Sequence, residues 1–464
     1  MDSGRFAAVR GWNSWIPVLP VLAFDLLLSV PRQWRMETSG FDLGIFEEAV
    51  RGYAGFHAPV AALKGTAFNL LGDHFSPLLA VLAPVYRLFP CAATLLVAQA
   101  LLFALSCVPV TALAVERLGR RRGVAVGLAY GFSWGLWKAT QFDFHEVALA
   151  VPLTAWAVAA LARGRYRAAV CWALPLLLVK EDQGLMLAGI GVYVFCRGRR
   201  LLGTGAVLAA VAGTLLAVLV VVPALNPGGV YSYGNNGAWH GDPLTRLLLP
   251  ELKWDTVALL LAPTLFVALR SPLVLLAVLP LAARFWTPAP SYWGTACHYN
   301  ATLMPVLFLA LVDGLHRIRA GAGHRPGRAG RVVRRVAAAV PAIALLLGLA
   351  TAPLPDLAGP SPAVRAVRQV LAVIPDGATV AAANQLAPQL TDRCTVSLFP
   401  YLTYPGATGP VNRPVARWVA ALDDPGDFPV PESEQLKATA ALPAAGYRVV
   451  AAGGGITVYR WGSS

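Results

Sequence analysis

The stretch Phe142-Asp143-Phe144-His145-Glu146 places three ionisable side chains between long apolar runs. The rest of the chain is unusually apolar: of its 464 residues, 57% are hydrophobic and 13% are charged, and the mean hydropathy is +0.59. Ionisable groups in such surroundings are costly unless they face water or one another, and they indicate functional sites by default. We therefore expect this stretch, together with others like it, to line a polar site.

The composition indicates a membrane protein with many spans. Soluble domains are roughly 45–50% apolar and about 25% charged. Several apolar runs here approach or exceed about 18 residues, the length that indicates a membrane-spanning helix. The net charge is +14, but the arginines lie in short clusters between apolar runs, which is the pattern of cytoplasmic loops. Nucleic acid is therefore not predicted as a partner.

The apolar runs predict about eleven membrane spans within residues 1–352. They are residues 12–30, 92–115, 124–139, 147–162, 168–179, 185–196, 201–225, 254–269, 271–285, 301–315 and 336–352. Residues 41–90 are predicted to form amphipathic and re-entrant helices at the outer surface. The run after His74 is too short to cross a hydrocarbon core of about 30 Å.

The charge pattern predicts the orientation. Arginine-rich loops alternate with loops that carry carboxylates, His, Trp and Tyr. Because positively charged loops stay in the cytoplasm, the N-terminus is predicted inside and the C-terminus outside a bacterial plasma membrane. The predicted spans 168–179 and 185–196 are too short to lift residues 180–182 clear of the bilayer, so we expect a water-filled cavity there.

Residues 353–464 are less apolar and richer in Asp, Pro and polar residues, which predicts a separate extracytoplasmic domain. Its residue patterns favour strands at 379–382, 395–398, 418–422, 448–451 and 456–459, and helices at 364–373 and 386–390. The predicted fold class is therefore an α-helical polytopic membrane protein that ends in a small α/β domain.

Asp42 is the first candidate catalytic residue, and it lies in the first outer loop, which we define as the segment between the predicted spans 12–30 and 92–115. A carboxylate at the start of a membrane-surface helix suits a general base for a sugar or lipid hydroxyl. The alternative is structural, because Asp is favoured as a helix N-cap. The sequence alone leaves both interpretations open.

Asp143 and Glu146 are the other candidate catalytic carboxylates. Their i, i+3 spacing would place them on one helix face, where they could hold a divalent cation or a proton. The alternative is a capping box, which has nearly the same spacing. A capping box would not account for the intervening His145.

Lys180, Glu181 and Asp182 form a second charged cluster between apolar runs. Surface turns ordinarily contain Gly, Pro, Asn or Ser, so three charges here favour a site. Lys180 is a candidate ligand for a phosphate or pyrophosphate, with Glu181 or Asp182 as its partner. The alternative is an internal ion pair that fixes the hairpin.

The remaining substrate-binding candidates on the outer side are His74, His145, His298 and Tyr299.

Several of these motifs occur in the same order in a known family. The segments are 41–47, 74–77, 142–146, 180–182 and 298–299. Over about residues 12–313 the chain resembles the bacterial predicted membrane proteins called domain of unknown function 2079. That family looks like a member of the GT-C superfamily of membrane glycosyltransferases, so the resemblance implies a GT-C-like fold.

The resemblance also implies a reaction class. It is the inverting transfer of a sugar from a polyprenyl-phosphate-linked donor to an envelope glycan, lipid or protein at the outer face. Asp42 matches the position of the first-loop catalytic carboxylate of GT-C enzymes. Leu43 stands where the second acid of the usual pair would be, which leaves Asp143 and Glu146 as rival bases. Lys180 would offset charge on the leaving phosphate.

Two other functions fit the same residues. A transporter or lipid flippase could use the carboxylates and histidines as a proton relay, although the sequence shows no internal repeat of the kind that transporters often have. A non-catalytic assembly protein could display the C-terminal domain. Convergence of the charged clusters at one outer cavity would favour sugar transfer.

Overall fold

The computed structural model describes residues 11–233, 242–323, 328–401 and 416–462. A helical membrane portion precedes a small sheet domain, as the composition predicts. The α-helices are Val18–Trp34, Ile45–Ala54, Ala83–Leu88, Ala92–Leu118, Arg120–Gly131, Trp134–Gln141, Ala150–Ala162, Tyr166–Ala173, Gly184–Cys196, Arg200–Leu216, Val222–Leu225, Pro243–Leu248, Leu252–Leu261, Val278–Trp286, Met304–Gly323, Arg328–Thr351, Pro362–Leu371 and Glu432–Ala441.

Some of these helices are long enough to cross a membrane and others are not. Among the described residues, five combine sufficient length and hydropathy, namely Gly11–Trp34, Ala92–Leu118, Arg200–Leu225, Ala301–Ala322 and Gly330–Thr351. Shorter apolar helices are Pro77–Leu88, Glu146–Ala162, Tyr166–Leu178 and Pro272–Trp286. Many apolar helices are thus confirmed, but several predicted spans are short.

Two predicted spans are interrupted. Residues 124–139 fall on two helices, Arg120–Gly131 and Trp134–Gln141. Residues 254–269 leave the α-helix near Pro263, which has no backbone N–H to donate. Irregular backbone at membrane depth is tolerated where protein or a water-filled cavity surrounds it. These breaks therefore agree with a polar cavity inside the helical portion.

The arginine-bearing ends of several helices meet. Arg117 contacts Asp313, which also lies 2.6 Å from Arg317. Arg163 and Glu116 approach to 2.8 Å. These contacts bring together the chain near residues 116–117, 163 and 313–317, three regions that the charge pattern assigns to one side of the membrane. The cytoplasmic identity of that side stays a prediction.

The C-terminal domain is built on a five-stranded sheet. Its strands are β1 (Thr379–Ala382), β2 (Thr395–Leu398), β3 (Trp418–Leu422), β4 (Tyr447–Gly453) and β5 (Ile456–Trp461), in the order β2-β1-β3-β5-β4. β1 is parallel to both β2 and β3, whereas β5 is antiparallel to β3 and β4. All five predicted strands are confirmed, because period-2 patterns of small and β-branched residues are a local property of the sequence.

One face of the sheet packs against the first outer loop. Val380 and Ala382 of β1 belong to the same buried apolar cluster as Leu43 and Ile45. Ala381, between them, belongs to a second cluster on the opposite face. This alternation follows from the pleat of a strand. The domain is thereby attached to the loop that carries the first candidate carboxylate.

Candidate functional site

A chain of buried contacts connects the two charged stretches. Glu146 is fully buried, and its carboxylate oxygens lie 2.6 Å from Nδ1 of His145 and 2.9 Å from Nζ of Lys180. His145 directly precedes the turn Glu146–Leu149, and Lys180 precedes the turn Glu181–Gln183. Breaking a buried pair leaves an uncompensated charge. These contacts therefore fix the relative position of two remote segments.

Asp42 approaches the opposite edge of the His145 ring. Its Oδ2 lies 3.8 Å from Nε2 of His145, and 27% of its side chain is exposed. Burial of the remainder raises the pKa of Asp42, which the neighbouring His145 partly opposes. The helix Ile45–Ala54 has no side-chain N-cap, so the capping alternative for Asp42 is wrong. Asp42 combines a partly exposed side chain with a neighbouring imidazole.

Asp143 holds the start of the first outer loop. Its Oδ1 accepts a hydrogen bond from Nη1 of Arg32 at 3.0 Å, and its Oδ2 accepts one from the backbone N–H of Ser39 at 2.9 Å. Burial raises the pKa of Asp143 to about 6 despite Arg32. The turn Glu146–Leu149 has no side-chain cap, so the capping-box alternative for Asp143 and Glu146 is wrong.

A cation held jointly by Asp143 and Glu146 stays an untested possibility, and the structure gives each carboxylate other partners. Each carboxylate is engaged by its own nitrogen groups, Asp143 by Arg32 and Glu146 by His145 and Lys180. Their i, i+3 spacing would join them only on a regular helix, and φ of Asp143 is +84°. The backbone therefore turns between them. Of the three candidate catalytic carboxylates, Asp42 is the most available to a substrate.

His74 and Glu181 join the second charged stretch to the outer loop. Oε1 of Glu181 lies 2.8 Å from Nδ1 of His74 and accepts a hydrogen bond from the Tyr231 hydroxyl at 3.0 Å. Lys180 pairs with Glu146 and Glu181 pairs with His74, so the partners of Lys180 and Glu181 both lie outside the hairpin. The alternative of an internal hairpin ion pair is therefore wrong for the described residues.

The Glu181 carboxylate makes the stability of the folded protein depend on pH. Burial alone would raise the pKa of Glu181, but His74 and Lys180 outweigh it and lower the pKa to about 2. The ionised form therefore stabilises the fold fully above about pH 4.5, by roughly 3 kcal/mol, and this contribution is lost as the pH falls toward about 2. We expect Glu181→Gln to unfold at a lower temperature than wild type at neutral pH. It should lose less stability than wild type between about pH 5 and pH 3. Thermal unfolding in detergent measures both, and equal losses would contradict the assignment.

His298 lies against His145 as a stacked pair. The ring centroids are 3.4 Å apart and the planes are inclined by 22°. Nδ1 of His298 is buried and has no hydrogen-bond partner within the described chain. Burial and the adjacent His145 lower the pKa of His298. The Tyr299 ring follows at 4.3 Å from the His298 ring, which extends the cluster by one aromatic group.

A cavity of about 580 Å³ opens beside this cluster. The predicted substrate-binding residues in its lining are His74, Lys180, Glu181, Asp182, His298 and Tyr299. His145 contacts both His298, which lines the cavity, and Asp42, which does not. Residues from the first outer loop, from both charged stretches and from the loop before Met304–Gly323 thus meet, as the sequence predicts.

The cavity also has lining residues that the sequence interpretation missed. Arg284 donates to the backbone carbonyls of Tyr292 at 2.8 Å and Tyr299 at 3.0 Å. Arg246 lies over the Trp286 ring at 4.5 Å from its centroid. The sequence feature that could have identified Arg284 as a site residue is its charge within the apolar run 271–285. With Lys180, three cations border the cavity, an arrangement that suits a phosphate.

The solved structures that resemble this chain include ArnT from Cupriavidus metallidurans. In the apo state it is 15% identical, the alignment covers 100% of both chains, and the TM-score is 0.58. In the form bound to undecaprenyl phosphate the identity is 15%, the coverage is 96% of this chain and 99% of that one, and the TM-score is 0.52. This likeness shows that the chain shares the fold of ArnT.

The family comparison covers most of the sequence. No curated protein matches the chain significantly. Residues 32–458 match the model of a family described as predicted membrane protein, DUF2079. The matched range includes every candidate site residue and the sheet as far as residue 458, within β5. The chain therefore belongs to the DUF2079 family of predicted membrane proteins and shares its fold with ArnT from Cupriavidus metallidurans.

Proposed function

We propose that this protein transfers a sugar from a polyprenyl-phosphate-linked donor to an acceptor at the extracytoplasmic face of a bacterial plasma membrane. One observation carries the proposal. Asp42, His145, His298 and Lys180 come from four remote segments, yet they form one contact network beside a cation-lined cavity. The solved ArnT with bound undecaprenyl phosphate, which shares the fold, supports a lipid-linked donor.

Asp42 is the proposed base. As the acceptor oxygen bonds to the anomeric carbon, the Asp42 carboxylate takes the hydroxyl proton. The bond between the anomeric carbon and the phosphate oxygen breaks, and its electron pair leaves with the polyprenyl phosphate. His145 orients Asp42, because its other nitrogen is held by Glu146 at 2.6 Å. Attack opposite the leaving phosphate inverts the sugar.

The cavity cations are the proposed partners of the phosphate. Lys180, Arg246 and Arg284 all line it, so negative charge that develops on the leaving oxygen would meet preorganised donors. Tyr231 and Tyr233 add aromatic surface at the same opening. A lipid-linked phosphate matches both the charge and the largely apolar remainder of this cavity.

A transporter would use the same residues differently. It would need the carboxylates to exchange protons along a path through the protein. Glu146 is fully buried and paired on both oxygens, which suits a fixed support better than a mobile relay. The network also ends at one cavity in the described chain. These features favour sugar transfer over transport.

We also propose a place for a divalent cation. The ligand atoms of Asp42, His145 and His298 lie within 4.8 Å of one another. Glu146 behind His145 is the kind of carboxylate that commonly orients a metal-bound imidazole. Two imidazoles and one carboxylate suit Zn²⁺ or Mn²⁺ better than Mg²⁺. Such an ion would supply positive charge to polarise an acceptor hydroxyl.

Metal retention tests this donor set. Purified protein incubated with Zn²⁺ and desalted is expected to keep about one ion per chain, whereas His298→Ala should keep about a tenth of that. The matched control is His57→Ala, because His57 is exposed and outside the site. Elemental analysis of the three proteins gives the stoichiometry. Equal retention in His298→Ala and wild type would refute this assignment of ligands.

The proposed reaction is tested in cells. A deletion strain is complemented with wild type or with Asp42→Asn, and lipid-linked sugars and envelope glycans are profiled by mass spectrometry. We expect the deletion strain to lose one glycosylated product and to accumulate its lipid-linked donor. Wild type should restore the product and Asp42→Asn should not. Identical profiles in all strains would overturn the proposed function.

A further inference from the structure

We infer that Asn384 of the C-terminal domain is a positioning residue for Asp42, so that the sheet domain forms part of the catalytic apparatus. The inference rests on the proposed function, because it assigns Asn384 to the reaction in which Asp42 is the base. It goes further by giving the C-terminal domain a role in positioning the proposed base.

Asn384 binds the two residues that precede Asp42. Its backbone carbonyl accepts a hydrogen bond from the N–H of Gly40 at 2.7 Å, and its Oδ1 accepts one from the N–H of Phe41 at 2.9 Å. Asn384 is 5% exposed, so water competes little for these contacts. Because peptide units are planar, holding two consecutive N–H groups sets the direction in which the chain enters Asp42.

Asn384 is itself held rigidly. It follows β1 by two residues, and the intervening Ala383 donates its N–H to the carbonyl of Ala420 on β3 at 2.8 Å. An interior strand of a sheet, such as β1, is a more precise support than a free loop. The sheet therefore presents the Asn384 acceptors at a defined place, and the first outer loop is held against them.

Gly40 lies where the first outer loop and the C-terminal domain approach closely. A Cβ at this position would lie 2.9 Å from Cβ of Ala387 and 3.2 Å from Oδ1 of Asn384. Contacts below about 3 Å force a backbone or side chain to move. The φ of Gly40 does not require glycine, so the close approach of the C-terminal domain explains the residue.

Further contacts lie on both sides of Asp42. Before it, Nε2 of Gln33 donates to the carbonyl of Pro388 at 2.9 Å. After it, Oε1 of Glu48 accepts from the N–H of Val396 at 3.2 Å. The loop is therefore clamped to one continuous segment of the domain. Of these contacts, the two from Asn384 are nearest to Asp42 in the chain.

The contacts from Asn384 matter for the proposed reaction because they help to set the position of Asp42 relative to His145. The Asp42 carboxylate lies 3.8 Å from His145, and His145 is fixed independently by Glu146. Asp42 and His145 are thus positioned by different parts of the molecule. A displacement of about 1 Å between reacting groups can lower a rate by about 10²-fold. Loss of the Asn384 acceptor should therefore lower product formation without removing any group that touches the substrate.

Three variants separate positioning from general stability. Asn384→Ala removes the side-chain acceptor, whereas Asn384→Asp keeps an oxygen that can accept from Phe41. Gln435→Ala is the matched control, since Gln435 is a buried amide of the same domain that bonds to Gly426 and Val430 instead. In the complemented deletion strain we expect Asn384→Ala to lower the product about 10- to 100-fold. Asn384→Asp and Gln435→Ala should remain within about threefold of wild type at equal protein level.

Hydrogen exchange provides a readout that does not depend on the reaction. In purified protein, peptides that cover residues 38–46 should exchange about tenfold faster in Asn384→Ala than in wild type. The same peptides should be unchanged in Asn384→Asp and in Gln435→Ala. Faster exchange together with lost product, both rescued by Asn384→Asp, would support the inference.

Each contrary result has its own meaning. Unchanged exchange in Asn384→Ala would overturn the supporting contact. Faster exchange with unchanged product would overturn its relevance to the reaction, while loss of product in Asp42→Asn would leave the proposed function standing. An equal product loss in Gln435→Ala would assign the effect to domain stability. Full product from Asp42→Asn would remove the proposed function, and with it the catalytic role of Asn384.

Discussion

Replacing Asp42 with asparagine is expected to lower product formation by about 10²- to 10⁴-fold, the usual contribution of a general base. The amide keeps the size of the side chain but cannot take a proton from the acceptor hydroxyl. The 27% exposure of the Asp42 side chain and its place beside His145 make it the most available of the three candidate catalytic carboxylates. Mass spectrometry of lipid-linked sugars and envelope glycans in the complemented deletion strain measures the loss.

Asp143→Asn is the matched comparison for this prediction. Its oxygen can still accept from the backbone N–H of Ser39, so we expect a product level within about tenfold of wild type, with the loss due to weaker positioning of the loop. If Asp143→Asn abolished the product while Asp42→Asn retained it, the two roles would be reversed. Western blots of membrane fractions control for protein level.

Replacing Glu146 with glutamine is expected to produce the largest loss of stability. The carboxylate is fully buried between His145 and Lys180. Removing one partner of a buried pair typically costs about 3–5 kcal/mol, because the remaining charge is left uncompensated. Thermal unfolding of detergent-solubilised Glu146→Gln should therefore show a clearly lower midpoint than wild type, and product formation should fall with it.

A surface pair and a double variant control this experiment. Glu116→Gln breaks an exposed pair with Arg163, and such pairs contribute about 0–1 kcal/mol. Glu146→Gln combined with Lys180→Met removes the uncompensated charge and should recover part of the lost stability. A Glu146→Gln midpoint equal to that of Glu116→Gln would show that the buried network is not a structural support.

The candidate site was partly predictable because charge among apolar residues is conspicuous. His74, His145, Lys180, Glu181 and His298 all stood out in this way, and all of them lie in or beside the contact network. The capping interpretations were wrong because they considered only neighbours in sequence. Arg284 was missed because it lies in a run that otherwise resembles a membrane span, so it was assigned to that span and not to the site.

The sequence by itself determined the membrane class, the helical portion, the strands of the C-terminal domain and the segments that carry ionisable groups. These follow from hydropathy and periodicity, which depend on nearby residues only. The tertiary structure decided which carboxylate is available, because the partners that engage the others are remote. Arg32 is 111 residues from Asp143, and Asn384 is 343 residues from Phe41. Hydrogen bonds across such separations depend on how the folded elements pack, and that packing leaves Asp42 accessible while it pairs Asp143 and Glu146.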